Sequence, residues 1–141
     1  MRLWHKDLIP YLPRQQLIAQ WRECCAICSN IANKGTPNHL LVNKILNYSP
    51  YDFDAYVYKV IREIKNRGYK VSEKAINNFN SNLVHIHNIM PKNNKGVIFE
   101  NWHNERYLKQ CLFNLQEKYD CGGIPEDEWK KIQDNFDEYM E

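Results

Sequence analysis

The chain has 141 residues, of which 43% are hydrophobic and 26% are charged, and its formal net charge is +2. This composition excludes an intrinsically disordered chain, and the length suits one domain that buries its core without disulfides or metals. No apolar run approaches the ~20 residues of a membrane-spanning helix. Charged residues also interrupt the N-terminus where a signal peptide would be apolar. We therefore predict a single domain over residues 1–141 in the cytoplasm.

The first predicted helix runs from about Pro13 to about Asn30. Apolar residues at helical spacing indicate its buried face: Leu17, Ile18, Trp21, Cys24 or Cys25, and Cys28. Arg22 and Glu23 interrupt this pattern directly after Trp21. Taken alone, such a pair is most often a surface pair satisfied by solvent or by neighbours on the helix.

Residues 33–48 begin with turn signals, and we predict a loop with one short helix there. The next helix is predicted to begin at Pro50, with Ser49 as its cap and Asp52 in a capping-box-like arrangement. Gly68 provides a natural end. The predicted buried face of this helix consists of Phe53, Val57, Val60, Ile61 and Ile64.

Three more helices are predicted in the second half of the chain. Ser72 caps the first of them, and an exposed loop follows over residues 91–96. A long helix is predicted over 99–119, and Pro125 opens the last one, which reaches about Tyr139. Because strand signals are poor throughout, we predict an all-α, compact single-domain fold.

Neither the cysteines nor the histidines show the spacing of a metal site. The segment from Cys24 to Cys28 contains one CxxC without a second pair, and small buried helix residues are the favoured interpretation. His85 and His87 would point apart on a helix. We predict that the five cysteines are free thiols and that the protein uses no metal and no cofactor.

Charge is distributed unevenly along the chain. Acidic residues are concentrated after Gly123, whereas basic residues prevail before it. The basic segment 65–70, KNRGYK, is explained equally well as a phosphate contact and as the charged C-terminus of a helix. A basic face with an acidic C-terminal segment is the resulting expectation.

The N-terminal stretch MRLW and the following segment LPRQQLIAQWRE resemble the phage-type pyrimidine-dimer DNA glycosylases, and in particular their bacterial branch. The resemblance continues more loosely through 33–35, the helix from Tyr51, and 64–69, so it covers the first half of the chain better than the second. It implies a compact all-α domain. The residues that carry it are Arg2, Leu12, Gln15, Gln16, Leu17, Ala19, Trp21, Arg22 and Glu23.

This resemblance implies an unusual nucleophile. In that family the α-amine of the chain attacks C1′ of the damaged nucleotide, displaces the base and leaves an imine, after which β-elimination cuts the strand. An α-amine suits this reaction because its typical pKa of ~7.7–8.0 leaves a neutral fraction at physiological pH. The resemblance assigns acid–base catalysis to Glu23. It implies double-stranded damaged DNA as the partner of a monomer.

Further positions follow from the same resemblance. Arg22 would hold a phosphate beside the lesion, Gln15 and Gln16 would lie near the DNA, and Arg2 would match a basic residue close to the nucleophile. Together with the basic segment around residue 67, the predicted DNA-binding set is Arg2, Gln15, Gln16, Arg22, Lys34 and Arg67.

Two positions depart from the family pattern. Arg2 is too bulky for removal of the initiator methionine, so we predict that Met1 is retained and provides the nucleophilic amine. Ala26 occupies the position of a second phosphate-binding arginine, one turn after Arg22. We expect either weaker DNA binding or compensation by Lys34.

The long helix of the second half offers additional candidates. Trp102, Tyr107 and Tyr119 are predicted either to line the space for a displaced base or to pack in the core, with core packing favoured for at least one of them. Its basic residues are candidates for phosphate contacts: Arg106, Lys109 and Lys118.

Two other functions remain open at this stage. The chain could be a DNA-binding module of the same fold without catalysis. It could also be a helical protein-interaction domain whose acidic C-terminal segment meets a partner.

Overall fold

Helices account for nearly all regular structure in the computed structural model, which describes residues 1–90 and 96–140. Within these residues no β-strand occurs, which confirms the all-α prediction. The α-helices are α1 (Arg14–Lys34), α2 (Pro50–Asn66), α3 (Glu73–Ile89), α4 (Glu105–Asp120) and α5 (Glu126–Phe136). Shorter 3-10 helices span Lys6–Tyr11, Asn43–Asn47 and Asp137–Tyr139.

Side-chain caps begin α2 and α3 at the predicted positions. Ser49 Oγ accepts a hydrogen bond from the backbone N–H of Tyr51 at 3.2 Å. Ser72 Oγ accepts one from Ala75 at 3.3 Å. Such bonds satisfy N–H groups that have no partner within the helix. After α2 the chain turns at Gly68, whose φ of 83° lies in the left-handed region that favours glycine.

The predicted start of α4 at residue 99 is wrong. Phe99 and Asn101 have φ values of 52° and 70°, so a helix cannot pass through them. Asn104 caps the helix instead, since its Oδ1 accepts from the N–H of Tyr107 at 2.9 Å. The predicted capping box of α2 is also wrong, because Asp52 Oδ2 accepts from the N–H of Phe99 at 3.1 Å. The predicted loop over 91–96 lies outside the described residues except for its last position.

The core is centred on α1, which packs against both α2 and α3. Of the predicted stripe, Leu17, Trp21, Cys24 and Cys28 are buried, whereas Ile18 is half-buried. The other buried residues of α1 are Gln20, Ile27 and Ile31. On α2, Phe53, Val57, Val60 and Ile64 are buried as predicted, whereas Ile61 is half-buried. Burial of each large aliphatic or aromatic side chain contributes about 1.5–3 kcal/mol. The other face of α1 remains accessible.

The N-terminal segment belongs to this core. Leu3 and Leu8 are fully buried and Trp4 is nearly so. Removing these side chains from water fixes the path of the first residues. The amino terminus is therefore held against the folded domain.

Arg67 joins the end of α2 to the segment before α1. Its Nε donates to Glu63 Oε1 at 2.9 Å, its Nη1 to the carbonyl of Leu12 at 2.7 Å, and its Nη2 to that of Pro10 at 3.0 Å. The side chain is 18% exposed. These bonds occupy the guanidinium within the protein, and contact of Arg67 with DNA stays a prediction.

Replacement of Arg67 by Met should lower the free energy of unfolding by about 2–3 kcal/mol, because half-buried acceptors lose a charged donor. Urea denaturation measures this effect. Arg62→Met is the matched control, since Arg62 is exposed on the same helix, and it should change stability by less than about 0.5 kcal/mol. Equal losses in the two variants would contradict the assigned role.

Candidate active site

An open cleft of about 660 Å³ lies beside the amino terminus, between α1 and α4. Six of the eight residues predicted to act in catalysis or DNA binding line it: Met1, Arg2, Gln15, Gln16, Arg22 and Glu23. Lys34, at the C-terminal end of α1, and Arg67 do not line the cleft. The exposed face of α1 forms one wall.

Gln20 ties the N-terminal backbone to α1. Its Oε1 accepts from the N–H of Trp4 at 2.8 Å, and its Nε2 donates to the carbonyl of Arg2 at 2.9 Å. The side chain is fully buried. A buried amide that lost these partners would be strongly unfavourable. Gln20 therefore fixes both the position and the direction of the first residues.

Two tyrosines complete this attachment. Tyr56 of α2 donates its hydroxyl to the carbonyl of Trp4 at 2.6 Å, and Tyr107 of α4 donates to that of Leu3 at 2.6 Å. Burial raises the pKa of both hydroxyls, so both remain protonated donors at neutral pH. Residues 2–4 are thus held by side chains from three helices.

The Glu23 carboxylate contacts the backbone of the second residue. Its Oε2 accepts from the N–H of Arg2 at 3.3 Å and from Gln20 Nε2 at 3.4 Å. Glu23 is half-buried, whereas Met1 is 39% exposed. A half-buried carboxylate therefore contacts the residue that follows the free amine of Met1, at an accessible surface.

The side chain of Arg2 is held between aromatic rings. Its guanidinium carbon lies 5.4 Å from the ring centre of Trp4 and 5.8 Å from that of Tyr107. Its Nη1 approaches Cys111 Sγ at 3.8 Å. Cation–π contacts of this kind restrain the guanidinium without neutralising its charge.

The cleft is strongly basic. Among the described residues that line it, Arg2, Arg14, Arg22 and Lys118 are cationic, and Glu23 is the one acid. Positive charge collected in a concave site attracts polyanions and concentrates them there. Phosphate groups are the anions that such a distribution suits.

The aromatic candidates for a lesion space do not line this cleft. Trp102 is buried against Phe99, with ring centres 4.8 Å apart. Tyr119 stacks on Trp129 at 5.1 Å. Tyr107 supports the N-terminal segment, as described above. Of the basic candidates on α4, Lys118 reaches the cleft, whereas Arg106 and Lys109 do not.

Four residues of the site were not predicted from the sequence: Gln20, Tyr56, Arg14 and Asn114. Gln20 could have been found, because it occupies a core position of an otherwise apolar stripe, three residues after Leu17. A polar side chain at such a position needs a buried partner. No local signal indicates Asn114, which comes to the cleft with α4.

Two further groups of polar side chains lie outside the cleft. Cys24 and Cys28 are buried, and burial raises the pKa of Cys28 to about 12, so its thiol is unreactive. His87 Nε2 lies 2.7 Å from Asp54 Oδ2, which joins α3 to α2. Across residues 1–90 and 96–140, no three His, Cys, Asp or Glu side chains could hold a metal ion, and no helix has the length and apolar character to span a membrane.

Comparison with known proteins gives the family. A sequence model described as pyrimidine dimer DNA glycosylase matches residues 1–77, which is more than half of the 141-residue chain. No curated protein and no solved structure matches the chain. The matched segment contains the N-terminal residues, α1 and α2, and with them most of the cleft lining. The chain belongs to the pyrimidine dimer DNA glycosylase family.

Proposed function

We propose that this protein is a DNA glycosylase with abasic-site lyase activity that acts on pyrimidine dimers in double-stranded DNA. The observation that carries the proposal is the 3.3 Å hydrogen bond from the backbone N–H of Arg2 to Glu23, at the edge of a basic cleft. This bond connects Glu23 to the residue that follows Met1, and it supports assigning the acid–base role of the family to Glu23. The α-amine of Met1 is the proposed nucleophile.

The proposed reaction has two stages. In the first, the amine lone pair attacks C1′, the bond between C1′ and the base breaks, and opening of the sugar ring yields an imine between Met1 and C1′. In the second, loss of a proton from C2′ expels the 3′ oxygen and cuts the strand. Hydrolysis of the imine then returns the free amine.

Glu23 has two proposed tasks in this sequence. As a base it takes a proton from the attacking nitrogen and passes it to the ring oxygen when the sugar opens, and as the resulting anion it stabilises the cationic imine. Its hydrogen bond with Gln20 orients the carboxylate toward the N-terminal segment. The half-buried setting limits solvent screening of this charge pair.

The remaining cleft residues are proposed to hold the DNA backbone. Arg22 and Arg2 bind phosphates beside the lesion, with Gln15 and Gln16 as polar neighbours. Lys118 on α4 supplies a cation across the cleft and offsets the absence of an arginine at Ala26. Lys34 follows Arg22 by twelve residues, about 18 Å along the helix axis, so it would meet a more distant phosphate.

We also propose that the protein acts as a monomer and as one domain. One chain supplies both the proposed nucleophile, Met1, and the proposed acid, Glu23, to the lining of the cleft. One core cluster includes residues from the N-terminal segment and from each of the five helices named above. Neither the amine nor the carboxylate needs a second subunit.

Borohydride trapping tests the function. The untagged protein is incubated with a duplex containing one abasic site, the imine is reduced, and the cross-link is mapped by mass spectrometry. We expect a covalent adduct on the amine of Met1, and with an irradiated duplex we expect the same adduct at the dimer. Salt-dependent binding without an adduct would instead indicate a DNA-binding module without catalysis.

A further inference from the structure

Two consecutive leucines lie exposed on the rim of the cleft. Leu40 is 91% exposed and Leu41 is 50% exposed, and Leu41 lines the cleft together with Met1 and Glu23. Single exposed leucines are common on protein surfaces. A pair of them beside a cleft with four cationic side chains calls for a function, because their exposure to water is unfavourable.

The segment that carries these leucines is an ordered turn. The carbonyl of His39 accepts from the N–H groups of Val42 at 3.0 Å and Asn43 at 2.9 Å, and Asn43 Oδ1 accepts from the N–H of His39 at 3.0 Å. Pro37 and Val42 are buried on either side of the turn. The fold thus anchors both ends of this turn and leaves Leu40 projecting between them.

The charge of the segment favours an approach to DNA. The sequence contains no Asp or Glu between Glu23 and Asp52, whereas Lys34 and Lys44 flank the turn. An apolar tip without nearby acids can enter a groove lined by phosphates without like-charge repulsion.

We propose that Leu40 and Leu41 form an apolar wedge, which enters the base stack of duplex DNA beside the damaged nucleotide. This inference rests on the proposed function. For Met1 to reach C1′ the duplex must be distorted at the damaged nucleotide, and this distortion exposes the faces of neighbouring bases. Leucine side chains at this position cover those faces, as apolar wedges do in other DNA-kinking proteins.

Cleavage of matched substrates tests the wedge. The variants are Leu40→Ala, Leu41→Ala and the double variant, and Val84→Ala on α3 is the control, since Val84 is 65% exposed and does not line the cleft. On a duplex with an abasic site, we expect the double variant to cut on the order of 10- to 100-fold more slowly. On the same strand without its complement, no stack must be opened and the rates should be equal. Leu40→Met, which keeps a large apolar side chain, should cut the duplex at close to the wild-type rate.

A second readout does not depend on chemistry. With 2-aminopurine next to the lesion, binding of the wild-type protein should raise fluorescence as the neighbouring base unstacks, and the double variant should not. This result would support the wedge even if borohydride trapping gave no adduct. Wild-type rates and fluorescence in the double variant would overturn the wedge and leave the glycosylase proposal intact. A wild-type protein that neither cuts nor changes the fluorescence would overturn both.

Discussion

Glu23→Gln should abolish strand cleavage while DNA binding persists. Glutamine keeps the size of the side chain and an oxygen that can accept from the N–H of Arg2, so the N-terminal segment should stay in place. The amide cannot take a proton from the attacking amine and does not neutralise the cationic imine. A loss on the order of 10²- to 10⁴-fold in the single-turnover cleavage rate is expected.

The matched control removes the same charge elsewhere. Glu117 is exposed on α4 and does not line the cleft, so Glu117→Gln should cut at the wild-type rate. Glu23 is the one acidic residue among the described residues that line the basic cleft. Its replacement should therefore also strengthen DNA binding slightly at low salt. Unchanged cleavage by Glu23→Gln would remove Glu23 from the mechanism.

Most of the helical framework could be predicted from local patterns. Caps at Ser49 and Ser72 and the apolar stripe of α1 are short-range features, and the structure reproduces them. The start of α4 could not be predicted in this way. Phe99 adopts its left-handed conformation within a tertiary arrangement, where its side chain is buried and its N–H donates to Asp52 on α2.

The site depends on contacts that sequence spacing does not reveal. Met1 and Glu23 came together in the prediction through family resemblance alone. In the structure, Gln20, Tyr56 and Tyr107 bind the backbone of residues 2–4 from three different helices, and the N–H of Arg2 contacts Glu23. Two of these residues follow Glu23 by more than thirty positions. Their roles arise only when the chain is folded.

Addition of one glycine before Met1 should abolish both cleavage and borohydride trapping. The extended chain still begins with a primary amine of the same charge, so only the position of the nucleophile changes. One residue moves the amine by up to about 3.8 Å. Because a displacement of 1 Å can lower a rate by about 10²-fold, we expect at least that loss here.

The hydrogen bonds of Gln20 prevent the N-terminal segment from shifting by one residue. Such a shift would otherwise return the amine of the extended chain to its original position. A shift in register would separate the Trp4 N–H and the Arg2 carbonyl from the Gln20 amide. The buried amide would then lack hydrogen-bond partners, which is energetically costly. A glycine added after Glu141 is the control and should leave the rate unchanged. Acetylation of the unextended amine should give the same loss as the glycine extension by removing the nucleophile itself. Full activity in either blocked form would mean that the reacting group is not the α-amine of Met1.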